Sequence, residues 1–334
     1  MKSIAILVIS LGIILLAAEL FVNGVEWLGK KLNLSEGAVG SVLAAVGTAL
    51  PETIIPIIAI VFGRGTEGHD IGIGAILGAP LMLSTLAMFV TGLAVVIFRR
   101  RRAHGLKVMA DYSTMSRDLL FFMIIFAVAV LAGMIPPALR SLQVGIALVM
   151  IISYILYVHF MLNQERDLES DAQMPPCYFD RRHAALLWII IQVVVALGIM
   201  ILGATLFVES VKVVAHTYGV PAFVLALIIT PIATELPEKF NSVIWVSREK
   251  DTLALGNITG AMVFQSSLIP ALGIFLTDWQ LTSSALVSAS LALVSALIMF
   301  IQLRTRKHIS APILMAGGLI YVVFLVGVFR GIIT

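Results

Sequence analysis

Two short stretches carry a hydroxyl and a carboxylate at the same spacing inside long apolar runs: Thr48-Ala49-Leu50-Pro51-Glu52 and, 186 residues later, Thr234-Glu235-Leu236-Pro237-Glu238. In a helix, residues four apart share a face, so Thr48 and Glu52 point one way, as do Thr234 and Glu238. Each proline lacks the amide hydrogen that would bond the carbonyl four residues earlier, which releases the backbone oxygens of Gly47 and Ala233 as donors. Hydroxyl, carboxylate and carbonyl are hard oxygen ligands. They suit a cation such as Ca²⁺, which takes roughly six to eight oxygens and favours carboxylates supplemented by carbonyls. An ionisable side chain inside an apolar span costs roughly 2.5–3.5 kcal/mol on insertion scales, so acids at equivalent positions of two spans point to a site. One Pro-Glu step alone would equally be a kink with an incidental acid; its recurrence in one register sets it apart.

The register extends beyond the motif. Leu20-Phe21-Val22 returns as Leu206-Phe207-Val208 at the same offset, and Gly74-Ala75-Ile76-Leu77-Gly78-Ala79 is echoed by Gly256-Asn257-Ile258-Thr259-Gly260-Ala261 at an offset of 182, a slip that a shortened connector accounts for. The chain therefore reads as a duplicated half-protein. At 334 residues, 60% hydrophobic and 12% charged, with a mean hydropathy of +1.06, it is too apolar for a soluble protein and partners a lipid bilayer. The net charge of +3 comes from cations in short connectors, not from a nucleic-acid surface. A lone Cys177 excludes an internal disulfide and a cysteine-rich metal cluster, and its polar connector marks it as inert. The amino-terminal apolar run to about Val22 is echoed in the second half and reads as a retained span, not a signal peptide.

Stretches long enough to cross about 30 Å of hydrocarbon, which takes about 20 helical residues, occur at 3–23, 37–63, 71–98, 118–135, 141–162, 184–210, 219–247, 252–276, 281–303 and 311–329. The expected fold is an all-α integral membrane protein of ten transmembrane helices in two inverted five-helix repeats. The first repeat covers 1–162 with its motif region at 44–82, and the second covers 184–334 with its motif region at 230–266. An odd number of spans per repeat makes the second copy enter from the opposite side. With the amino terminus outside, sixteen of the 22 Lys and Arg residues fall on cytoplasmic connectors, as the positive-inside bias requires. Both termini are then extracytoplasmic, the 163–183 linker is a solvated cytoplasmic segment, and the short loops suit a prokaryotic inner plasma membrane. Asp70 and Asp251 precede their spans as expected N-caps. The glycines at 72, 74 and 78, and at 256 and 260, are expected to let spans 3 and 8 approach closely.

On these motifs the sequence resembles the calcium/cation antiporter superfamily, whose best-known branch is the sodium/calcium exchangers. The first family motif, Gly-Thr-Ser-x-Pro-Glu, is matched by Gly47 to Glu52 and by Ala233 to Glu238. The second, Gly-Asn-x-x-Gly-Ser-Asn, is matched partly by Gly74 to Pro80 and better by Gly256 to Met262. The resemblance implies ten spans in two inverted sets, a mid-membrane metal site built from Thr48, Glu52, Thr234 and Glu238 with the Gly47 and Ala233 carbonyls, and transport of inorganic cations without a cofactor.

Departures bear on substrate. The family serine is Ala49 in one repeat and Glu235 in the other, and the coordinating Asn or Asp becomes Pro80 and Met262. Gln265, Ser266 and Ser84 lie about a turn further on as substitutes, or as ordinary polar positions of a helix facing a cavity. Glu235 reads either as an added ligand or proton carrier, or as the partner of Lys239 four residues on. Glu19 is a weaker candidate for the cavity wall, and Glu209 suits the interface. The resulting expectation is antiport of Ca²⁺ for Na⁺ by alternating access, with H⁺ as the alternative counter-ion because burial favours protonated glutamate. A non-transporting ion sensor is the reading from another class. No His-Glu-x-x-His, Gly-x-Ser-x-Gly or Cys/His pairing is present, so the chain does not read as an enzyme.

Overall fold

The computed structural model describes residues 2–31, 49–63, 65–164, 176–179 and 185–330, apart from the side chains of 2, 162–164 and 236–241. Hydrocarbon offers the backbone no hydrogen-bond partner, so apolar runs of this length become helices. In chain order these are α1 (Lys2–Lys31), α2 (Leu50–Phe62), α3 (Thr66–Phe98, with a π turn at Leu83–Ala87), α4 (Tyr112–Ala132) and α5 (Arg140–Gln164). There follow α6 (Leu186–Tyr218), α7 (Ala222–Ser247), α8 (Asp251–Leu276), α9 (Ser283–Arg306) and α10 (Ala311–Phe329). Among the described residues eight helices are long and apolar enough to cross a membrane, while α2 and the Ala222–Glu235 part of α7 are shorter apolar helices. The protein is thus an all-helical, multi-pass membrane protein.

Several boundaries move for local reasons. The span expected at 118–135 begins at Tyr112, because the Asp111 carboxylate caps α4 by accepting the Thr114 amide at 2.7 Å. Arg117, counted with the connector cations, therefore lies inside a helix, as does Asp118. The span expected to end at 210 continues to Tyr218, where Gly219 takes the left-handed conformation (φ 67°) that L side chains disfavour, and Pro221 then caps α7. Of the span expected at 37–63, residues 37–48 lie outside the described residues.

Neither expected aspartate cap forms. Asp70 lies within α3, which already begins at Thr66 with Glu67 in the first turn, where the helix dipole favours an acid. Asp251 is the first residue of α8, and its carboxylate turns instead to the Arg102 guanidinium at 2.6 Å and the Met109 amide at 2.8 Å. The two motif prolines sit differently in their helices. Pro51 stands in the first turn of α2, where a missing N–H costs nothing, and α7 stays helical through position 237.

Two large apolar clusters organise the packing. One joins α1, α2 and α6 with Ile71 of α3 and Ala226 of α7; the other, the larger, joins α3 to α5 with α7 to α10 and takes in Ile60 of α2. Lipid removes the hydrophobic drive between helices, so close approach depends on small residues. A Cβ on Gly74 or Gly78 would lie 2.3 or 2.2 Å from the Phe223 or Leu227 carbonyl oxygen, which makes these glycines the crossing of α3 with α7. Gly72 faces the Ile60 side chain of α2. The expected approach through Gly256 and Gly260 does not occur, since a Cβ there meets nothing within 4 Å. The faces of α8 bearing Ala254, Ile258 and Met262 are buried instead. In the wider arrangement α3 packs against α9 and α10, and α8 packs against α4 and α5.

The connectors gather at two ends. At one end, β1 (Lys107–Val108) pairs antiparallel with β2 (Ile309–Ser310), while Arg102 binds Asp251 and the Val246 carbonyl (2.7 Å). The segments after α3, α7 and α9 are joined there. At the opposite end Arg140 reaches the Ile274 carbonyl, Leu281 N donates to Gly133 O (3.2 Å), and His216 meets Glu67 at 2.8 Å.

Candidate cation site

Two of the predicted acids are deeply buried on the helices that carry the motif. Glu52, in the first turn of α2, is 5% exposed, and Glu235 of α7 is 2% exposed. Ala233 and Thr234 beside it are buried as well. The Thr234 hydroxyl donates back to the Thr230 carbonyl (3.1 Å), which leaves its oxygen lone pairs available to a ligand. The Glu235 carboxylate accepts Gln265 Nε2 from α8 at 3.1 Å, so the polar pair bridges the two helices of the second motif region. Gly47 and Thr48, and the side chains of Glu238 and Lys239, lie outside the described residues. Among the described residues no three His, Cys, Asp or Glu side chains converge on one point.

The weaker candidates separate. Ser266 donates to the Val263 carbonyl (3.0 Å) within α8. Ser84 donates to the Pro80 carbonyl (2.8 Å) and its own carbonyl accepts Ser295 Oγ (2.6 Å), so it serves the α3 to α9 contact. Glu19 is exposed and accepts the Tyr178 hydroxyl at 2.9 Å; Glu209 is exposed and pairs with Lys212 at 3.1 Å. The expected solvated linker contains a docked piece. Cys177 is buried against Trp27, Leu28 and Ile189, and its neighbours Tyr178 and Phe179 donate backbone amides to Asn23 (3.2 Å) and Gln192 (3.0 Å). These two buried amide side chains, on α1 and α6, satisfy the backbone of the segment and so draw it out of water.

Sequence reasoning passed over Thr230. It is 2% exposed, and its hydroxyl has no partner among the described residues. It stands one helical turn before Thr234, and that Thr-x-x-x-Thr spacing was its only signal. Further along α2, that helix meets α8 around a cavity of about 10 Å³, room for roughly one water, lined by Thr53, Pro56, Ile60, Ile269 and Gly273 among others and not by Glu52. Among the described residues the region offers buried oxygen groups of Glu52, Thr230, Thr234 and Glu235, the kind of donor a hard cation takes.

Known proteins share this architecture. The family described as sodium/calcium exchanger protein matches residues 2–163 and 188–330. CaxA of Alkalimonas amylolytica is 24% identical over 336 residues, which cover 95% of this chain and 97% of that one. Among solved structures, the H⁺/Ca²⁺ exchanger CAX superposes with a TM-score of 0.74 at 18% identity, covering 98% of this chain and 82% of that one. The sodium-calcium exchanger NCX_Mj superposes with a TM-score of 0.56 at 17% identity, covering 97% of each chain. Both halves of the chain lie within the family match, and the protein therefore belongs to the sodium/calcium exchanger protein family, whose members are cation antiporters and not enzymes.

Proposed function

We propose that this protein is a secondary active antiporter of the inner plasma membrane that exchanges Ca²⁺ for Na⁺ at a single carboxylate cage. The cage is formed by Thr48, Glu52, Thr234, Glu235 and Glu238 with the Gly47 and Ala233 carbonyls, Pro237 having removed the amide donor that Ala233 would otherwise bond. The observation that carries the reading is the burial of Glu52 and Glu235, the latter held by Gln265 across a helix interface. Buried carboxylates in a membrane are costly unless a cation or proton compensates them.

Two further features support ten spans in inverted repeats. The third helix packs on the ninth and tenth as the eighth packs on the fourth and fifth. The connector contacts divide between two ends, those after α3, α7 and α9 at one and those after α4 and α8 at the other. Because α3 returns to the Arg102 end where α8 begins, α2 and α8 run in the same direction. Their shared cavity spans Pro56 and Ile269, so one turn earlier on each helix Glu52 and Gln265 stand at a common level. In this reading α1 and α6, of 30 and 33 residues, move as a pair against the rest and expose the cage to either side. Ca²⁺ and the counter-ion compete for one set of oxygens, and that competition enforces exchange.

Proton coupling is the second reading, favoured by the replacement of neutral sodium ligands by Ala49, Pro80 and Met262. Radioactive Ca²⁺ uptake into proteoliposomes under imposed Na⁺ or H⁺ gradients separates the two. Uptake driven by one gradient and abolished by the combined Glu52→Gln and Glu238→Gln variant is the expected result. Retained Ca²⁺ binding without uptake under either gradient would reject antiport and point to a sensor.

A further inference from the structure

Asp118 is an acid that the cation cage does not use. It lies on α4, six residues from the helix start, and is 2% exposed. One of its oxygens accepts the Tyr157 hydroxyl of α5 and the other accepts the Thr259 hydroxyl of α8 at 2.6 Å. Three helices therefore meet on one carboxyl group. Among the described residues it has no ion-pair partner. Arg117, next along α4, donates to Thr114 (3.4 Å) and stacks over Phe160 (5.0 Å to the ring centroid), and Asp111 caps the same helix. The other titratable or charged groups on the helices packed against α4 are Arg140, Tyr154 and His159 on α5, Asp251 on α8 and Arg304 and Arg306 on α9. Of these, Asp251 is engaged by Arg102 and Arg304 by Tyr112. Hydroxyl donors favour the ionised carboxyl without cancelling its charge, which leaves protonation as the alternative neutral state.

Thr259 and Gln265 are six residues apart on α8, about 9 Å along its axis and roughly 240° around it. The back of α8 is thus held by Asp118 while its front presents Gln265 to Glu235.

We propose that Asp118 is a proton-binding site separate from the cation cage, a positioning residue whose protonation state sets the seating of α8 and so makes exchange depend on pH. Ionised, the carboxylate accepts both hydroxyls and fixes Thr259. On taking a proton from solvent it becomes a donor at one oxygen, one of the two hydroxyl contacts must reverse its direction, and the seating of α8 against α4 shifts. The coupling half of this inference rests on the antiporter reading; the proton site does not.

The test pairs infrared titration of the purified protein in lipid with the pH profile of Ca²⁺ flux. A protonated-carboxyl band that titrates in the wild type and is missing from Asp118→Asn is expected, together with a flux profile that loses an inflection in that variant. Tyr157→Phe removes one donor to the ionised form and should move the midpoint to higher pH by about one unit. This variant decides the matter if Asp118→Asn does not fold. A band unchanged in Asp118→Asn, or a midpoint unmoved in Tyr157→Phe, overturns the proton site. A titrating band with identical flux profiles overturns the coupling. Absence of wild-type flux overturns antiport and the coupling with it, while the band still decides whether Asp118 binds a proton.

Discussion

A carboxylate buried at an ion site has its greatest effect through charge, so changes that keep shape and remove charge are the sharpest probes. Glu52→Gln and Glu238→Gln should each lower Ca²⁺ exchange at least about tenfold with the fold intact, measured as initial uptake rate against thermal unfolding, because each removes one of the negative charges that match a divalent cation. Gln265→Leu should weaken apparent Ca²⁺ affinity by about tenfold or more. It removes a charge-assisted hydrogen bond to Glu235 worth about 1.5–3 kcal/mol. The threonine and glutamate pairs stand out in the sequence as candidates because a four-residue spacing repeated at one offset is rare by chance. Thr230 and Asp118 do not. Thr230 has no counterpart hydroxyl at the equivalent position, Ala44, and Asp118 sat at the edge of an apolar stretch whose true start depends on the Asp111 cap upstream of it.

Between elements, stability depends on two unlike contacts. Gly78→Ala would place a Cβ 2.2 Å from the Leu227 carbonyl oxygen, a backbone atom that cannot rotate away, whereas Gly260→Ala meets open space. The first should destabilise by about 1–3 kcal/mol and the second should be tolerated, as thermal unfolding in detergent would report. Arg102→Ala would strand Asp251, whose side chain is 4% exposed, at a cost of about 3–5 kcal/mol. At the start of α4 the Thr114 amide holds the Asp111 carboxyl below the usual carboxylate range. That contribution is complete above the unfolded value of about 3.9 and is lost as pH falls through the lower folded value. Helix existence was plain from hydropathy, and the α10 span matched at 311–329. What hydropathy could not supply was the choice of partner: whether Asp251 caps its own helix or binds an arginine 149 residues away, and which helix the glycines of α3 admit.

The whole molecule is a membrane protein of the exchanger family whose connectors collect at two ends. Topology belongs to this scale. In a Cys177→Ser background, a cysteine placed at His308 should react with an impermeant reagent only from the cytoplasm, and one placed at Asp278 only from outside; labelling of both from one side would reject ten alternating spans. Duplication and positive-inside bias make that topology an expectation of the sequence, because both act along the whole chain, and the labelling tests it. The identity of the counter-ion does not follow from either, since it depends on a few ligands within the cage. The most direct measurement is equilibrium binding of radioactive Ca²⁺ to the purified protein as Na⁺ or pH is varied. A single shared cage predicts displacement that is purely competitive, with one ion raising the apparent dissociation constant at unchanged capacity, and loss of binding in the combined Glu52→Gln and Glu238→Gln variant. Displacement that lowers capacity at unchanged affinity, or full binding in that variant, would contradict it.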